Sequence, residues 1–224
     1  MWQALKLSLE LALVNTLTLL LVALVLAPLL AFGSFRGKTL LTLLITLPLV
    51  LPPTVLGFYL LMLFSPSSPV GAFFTALLGE TLLFNFKGLL VASAVSALPL
   101  AVLPAAAAME KVGRELLETA FVFGYGKLET YLKVVLPMSR RGFAVAALLV
   151  FSRTLGEFGV VLMVGGNVPG RTQTLALYVY DAVQAFEYGK AHLAALLLAA
   201  LSLASGGLLL LLGGLRERGG LRIL

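Results

Sequence analysis

"ETAFVFGYGKLETYLKVVLP", residues 118–137, is a stretch studded with charges and set between two long apolar runs. Just upstream, "KVGREL" (111–116) has the same character. Charged and apolar residues alternate at helical spacing, so Leu116, Leu117, Ala120, Phe121 and Phe123 are expected to supply an apolar face, with Lys111, Arg114, Glu115 and Glu118 largely elsewhere. Gly124 ends this first amphipathic piece. A second piece then runs toward the next apolar segment, with Pro137 expected at the break between a surface helix and a spanning helix. A short amphipathic helix followed by a glycine turn is a shape that docks in a partner's groove.

The sequence on either side fixes the solvent. Of 224 residues, 60% are hydrophobic and only 12% charged, with a mean hydropathy of +1.06, which is the composition of an integral membrane protein rather than a soluble domain. A spanning helix needs about 20 mostly apolar residues. Five segments meet that length, at 9–32, 40–64, 86–108, 142–164 and 191–212, interrupted chiefly by Gly, Pro, Ser and Thr. The first is read as a spanning helix rather than a signal peptide, because it is too long, is preceded only by Lys6, and no A-x-A site follows it. The whole chain, 1–224, reads as one membrane domain. With no cysteine and a single histidine, His192, neither disulfides nor a metal site is expected.

Charge placement sets an expected topology. Arg36 and Lys38, then Lys111, Arg114, Lys127, Lys133, Arg140 and Arg141, then Arg216, Arg218 and Arg222 all fall on one side of a five-span chain, and make up eleven of its sixteen basic residues. Lys6, Lys87, Arg171 and Lys190 fall on the other. The expectation is an outside N-terminus and a cytoplasmic C-terminus, and the net charge of +6 needs no nucleic acid to explain it. "GSFRGKT" (33–39) has three residues, not four, between its first glycine and G-K-T, so it is a basic turn rather than a phosphate-binding loop. If ATP is used, a partner must bind it.

The order Glu118-Thr119-Ala120, three residues, Gly124, nine residues, Val134, one residue, Leu136-Pro137 resembles the EAA motif of ABC importer permeases, with departures at Thr119 and Val134. The resemblance implies an all-α type I importer permease fold with a cytoplasmic coupling helix at about 110–137. It assigns ATPase coupling to Glu118, Thr119, Ala120 and Gly124, with Leu136 and Pro137 closing the motif. Gly124 is then needed either for a turn with φ > 0 or because a side chain would meet the partner. "RTLGEFGVVLMVGGNVPGRTQTLALYVYDAVQ" (153–184) and "LPLVLPPTVLGFYLL" (47–61) are similar to the molybdate branch of these permeases, and sulfate and thiosulfate permeases share part of the pattern. The implied assembly is a homodimer in the inner membrane. It carries two ATP-binding subunits that hold ATP and Mg, and an extracytoplasmic oxyanion-binding protein delivers molybdate or tungstate. The chain itself is expected to hold no cofactor or metal, to perform no catalysis, to bind no nucleic acid and to be surrounded by lipid.

Arg153 and Glu157 lie in one of the most apolar parts of the chain, four residues apart. An ionised side chain near the bilayer centre costs about 2.5–3.5 kcal/mol on insertion scales, so the two are expected to pair on one helix face. They either gate a translocation path or only fix packing. Gly156 and Gly159 would let another helix approach closely beside Glu157. Thr46 and Thr54 either touch a passing oxyanion or cap carbonyls freed by Pro48, Pro52 and Pro53. Asn15, Thr16 and Thr18 are read as helix-contact residues. A secondary transporter or channel is the reading from another class, but it is built from repeated bundles and the chain has no convincing internal repeat.

Overall fold

The computed structural model describes residues 1–213, all in helices, turns and irregular connections. Arg216, Arg218 and Arg222 lie outside the described residues.

Helix α1 (Trp2–Phe32) shows how the apolar sequence is used. Its buried positions recur three or four apart and include small or polar residues such as Ala12, Asn15, Ala23 and Ala27. Leu13, Leu17, Leu21 and Val25 on the other side are each more than half exposed. Lipid tails are as apolar as leucine, so large apolar side chains gain little by turning inward, and small residues take the contact because they let backbones approach.

The second expected span, 40–64, is two helices. α2 (Lys38–Val50) and α3 (Pro53–Phe64) meet at 116°. Two consecutive prolines cause the bend. Leu51 and Pro52 each precede a proline and are held extended, at ψ 135° and 136°. The pair still carries the chain from one end of the bundle to the other. Ile45 of α2 packs among Leu30, Ala105 and Met109, whereas Leu56, Leu60 and Phe64 of α3 pack with Leu82, Ala92, Val160 and Val164. Short α4 (Pro69–Leu78) follows, capped by the Ser68 hydroxyl, which accepts from the Gly71 N–H at 2.8 Å.

α5 (Phe86–Glu110) is the most buried of the long helices and touches α1, α2, α3, α8 and α9. It leads to α6 (Arg114–Val122) and α7 (Lys127–Thr130), then through a π-helical turn, Tyr131–Val135, into α8 (Leu136–Leu155). From Lys127 to Leu155 the chain is one continuous 29-residue helix. Pro137 is therefore not the break expected from sequence. A proline ring would crowd the carbonyl four residues back, and the wider π turn just ahead of it makes room. The break comes later. The span expected at 142–164 stops at Leu155, and α9 (Gly159–Gly165) continues the passage against α3 and α5. α10 (Leu175–Gln184) and α11 (Tyr188–Gly213) then form a packed pair, with α11 close to the expected 191–212 and the exposed His192 in its second turn. Among the described residues, four helices are long and apolar enough to cross a membrane, five when α2 and α3 are taken as one bent span.

The α5–α8 contact is the closest of these packings. A Cβ on Gly142 would lie 2.2 Å from the Ala108 Cβ and 2.9 Å from the Pro104 carbonyl oxygen. Gly142→Val is expected to cost about 1–3 kcal/mol through overpacking, read as a lower melting temperature in detergent. Ala108→Gly should restore part of the loss, and an unchanged melting temperature would contradict this packing.

Candidate functional site

Two sites emerge from the sequence-predicted residues, one at the α6 end of the bundle and one near its middle.

α6 is amphipathic, but its apolar residues do not form the single face expected. Leu117 and Ala120 turn inward onto the bundle, beside Val112. Leu116, Phe121 and Phe123 stay exposed, joined by Val122 and Leu128, which are 86% and 72% exposed. The helix thus uses one narrow apolar edge to hold itself to the bundle and presents a second to whatever lies beyond, the usual mark of a protein contact. Glu118 and Thr119 are exposed on it, and Thr119 Oγ1 bonds back to the Glu115 carbonyl at 2.7 Å. The helix ends in a Schellman turn. The Tyr125 N–H donates to the Ala120 carbonyl at 3.0 Å and the Gly124 N–H to Phe121 at 2.9 Å, with Gly124 at φ +85°. A Cβ at Gly124 would meet nothing in this chain, so of the two reasons for a glycine the backbone one already holds here. Leu136 and Pro137 lie apart from this turn, half-buried and exposed on the first turn of α8.

The mid-bundle site gathers polar groups from α1, α5, α8 and the break after α8. Arg153 Nη2 lies 3.1 Å from Glu157 Oε2, so the two charges do pair. They are not on one continuous helix, however. α8 ends at Leu155, and Glu157 sits in the irregular step before α9, its N–H reaching only the Thr154 carbonyl at 3.3 Å. Ser96 of α5 donates to the same Oε2 at 2.8 Å, and Arg153 Nη2 also reaches Ser96 Oγ at 3.4 Å. Glu157 is 1% exposed and its Oε1 has no partner among the described residues, whereas about a third of the Arg153 side chain is open. Asn15 of α1 donates to Thr154 Oγ1 at 2.8 Å, which makes Asn15 a helix contact as its position suggested. The two glycines beside Glu157 differ. A Cβ on Gly159 would approach Pro53 to 3.0 Å, so it does admit α3, but one on Gly156 would meet only the Ser152 carbonyl at 3.8 Å. Gly156 is exposed and serves the break, not helix contact.

Thr46 bonds its own helix, at the Thr42 and Leu43 carbonyls, rather than Leu44, the carbonyl Pro48 leaves without its helical donor. Thr54 is exposed at the first turn of α3. Neither reaches Arg153. Ser96 and Ser93 of α5 had not stood out in the sequence; Ser93 is also buried, and its hydroxyl has no partner among the described residues. Two serines three apart in an apolar helix were the available signal. In "GNVPGRTQT" (166–174) the polar side chains are largely engaged. Asn167 and Gln173 donate to the two Asp181 oxygens at 2.6 and 2.7 Å, and Thr172 Oγ1 donates to the Gly165 carbonyl at 2.6 Å. Arg171 remains exposed, in a depression shared with Glu80 and Lys87.

Residues 17–214 match the family described as binding-protein-dependent transport system inner membrane component. The chain belongs to that family. It is 47% identical over 190 residues to the molybdenum transport system permease protein ModB of Azotobacter vinelandii, covering 84% of each chain. It is 35% identical to ModB of Escherichia coli K12 over 82% of this permease and 80% of that one. The sulfate transport system permease protein CysT of Salmonella typhimurium is 34% identical over 84% of this chain but 67% of its own length. The fold resembles a solved bacterial alginate ABC transporter, crystallised with an alginate-bound periplasmic protein. The TM-score is 0.75 at 17% identity, over 97% of this permease and 80% of that chain. The chain is thus a multi-pass inner-membrane permease with the importer fold.

Removing one partner of a buried ion pair strands the other. Arg153→Gln is therefore expected to cost about 3–5 kcal/mol, read by thermal or denaturant unfolding in detergent. Arg153→Gln with Glu157→Gln should regain much of that loss. A double variant as unstable as the sum of its singles would show that the two charges do not act as a pair.

Proposed function

We propose that this permease is the membrane subunit through which an ATP-driven importer brings molybdate, or the nearly isosteric tungstate, into the cytoplasm. The observation that carries the reading is the α6 turn. It has the coupling-motif spacing, a helix held to the bundle by its inner edge, and an outer edge of exposed apolar side chains around Glu118, Thr119 and Gly124. The substrate rests on similarity to molybdenum permeases along most of both chains, with sulfate permeases matching over a smaller share of their own length. Two copies would form the pathway, each with an ATP-binding subunit on α6 that holds ATP and Mg, and a binding protein would deliver the oxyanion at the opposite end. The Lys and Arg bias supports a cytoplasmic α6 and 33–38 turn, with the N-terminus outside.

In this scheme the ATPases approach each other on binding ATP and push on α6, and the bundle exchanges inward for outward access. Arg153 and Glu157 suit a gate, because their bond spans a break between α8 and α9 rather than a continuous helix. A pathway must also release its cargo, and a guanidinium already occupied by a carboxylate offers an anion only a weak contact.

Gly124→Arg puts a long side chain where φ is +85° and where the partner would sit. Co-purification of the ATPase should be lost while the permease stays folded, and undiminished co-purification would remove the α6 docking reading. ATP-dependent uptake of labelled molybdate into vesicles holding permease, ATPase and binding protein should be blocked by excess tungstate and insensitive to excess sulfate. Suppression by sulfate would move the substrate to the sulfate branch.

A further inference from the structure

α1 carries Pro28 in its interior. Proline has no N–H, so the carbonyl four residues back, Leu24, has no helical donor. In a membrane-spanning helix no water is at hand to replace it, and a neighbouring element must. That donor is Tyr131, whose hydroxyl lies 2.7 Å from the Leu24 carbonyl oxygen across 107 residues of sequence. Tyr131 opens the π turn Tyr131–Val135, seven residues beyond Gly124, and its ring packs on the same core cluster as Ala27, Met109 and Val135.

We infer that Tyr131 is a positioning residue that ties the segment next to the α6 docking turn to the proline site of α1, so that displacement of α6 is passed to α1 as well as along α8. This rests on the reading of α6 as the ATPase-docking element. Three features support a joint rather than a chance contact. The acceptor is the one carbonyl in that turn of α1 that the proline frees, so the bond has no helical competitor. The donor stands in a π turn, a local widening common at functional sites, which separates the docking turn from the regular helix of α8. Its partly buried ring packs against the core cluster, which restrains the hydroxyl when α6 moves.

Tyr131→Phe keeps the ring and deletes only the bond. In vesicles with the ATPase and binding protein, this variant is expected to assemble and hydrolyse ATP at the wild-type rate. It should move up to about tenfold less molybdate per ATP, the shift that one hydrogen bond supports. Pro28→Ala returns a helical N–H to Leu24, so it should lower the same ratio, and adding Tyr131→Phe to it should lower the ratio no further. Wild-type uptake per ATP in Tyr131→Phe overturns the inference. So does a fall in uptake matched by a fall in ATP hydrolysis or assembly, which is what a merely structural role gives. So do additive losses in the double variant. Amide exchange over residues 24–32 of the permease alone separates the two readings, because it requires no ATPase. Faster exchange in Tyr131→Phe, together with full ATPase association in Gly124→Arg, would mean that the docking reading has failed and the bond survives only as a structural one.

Discussion

No backbone N–H or carbonyl in the hydrocarbon core can go unpartnered at a tolerable cost, and this chain breaks its helices there repeatedly. Several of these interruptions are places where another element comes close. At Pro28 the partner is Tyr131. At Pro52 and Pro53 the chain turns by 116°, and Gly159 lets α9 press against the bend. At Gly156 the step between α8 and α9 brings Glu157 against Ser96 of the central helix. The breaks hold the bundle together as much as the straight helices do, because they supply the polar groups that apolar packing in lipid lacks.

The charged pair belongs to this pattern. Two ionised groups in an apolar segment are tolerable because each answers the other, and a serine on α5 answers both. The arrangement is asymmetric. Glu157 is enclosed while Arg153 is partly open, so the cationic partner is the one accessible from outside the packed core. A break held by one ion pair is a natural point for two alternative arrangements, since the backbone there is not locked into a helical ladder.

At the other end of the bundle, rigidity and exposure are divided within a few residues. Leu117 and Ala120 fasten α6, a Schellman turn at Gly124 reverses the chain, and the next helix runs unbroken from Lys127 through the π turn to Leu155. The exposed edge of α6 thus lies next to a long helix that carries Arg153 near its far end. One continuous helix, Lys127–Leu155, runs between the two sites, from just beyond Gly124 to Arg153.

The amino-acid sequence by itself determined the solvent, the apolar runs that can cross it, the glycine turn after Ala120 and the pairing of Arg153 with Glu157. Each follows from a local cause: apolar length, a φ that glycine alone takes easily, or the cost of a lone charge in lipid. The motif spacing at Glu118–Pro137 likewise needs only the order of residues. Where helices stop was a different matter. A proline pair after Leu51 bends a span and Pro137 does not, although all lie in apolar runs: two consecutive prolines hold Leu51 and Pro52 extended, whereas a widened π turn leads into Pro137. Which side of α6 faces the bundle, which glycine beside Glu157 admits a neighbour, and which carbonyl Tyr131 or Thr46 answers were decided only by the tertiary structure. In a chain that is apolar on every face, periodicity does not tell lipid from protein, and only the helices that come to lie alongside do.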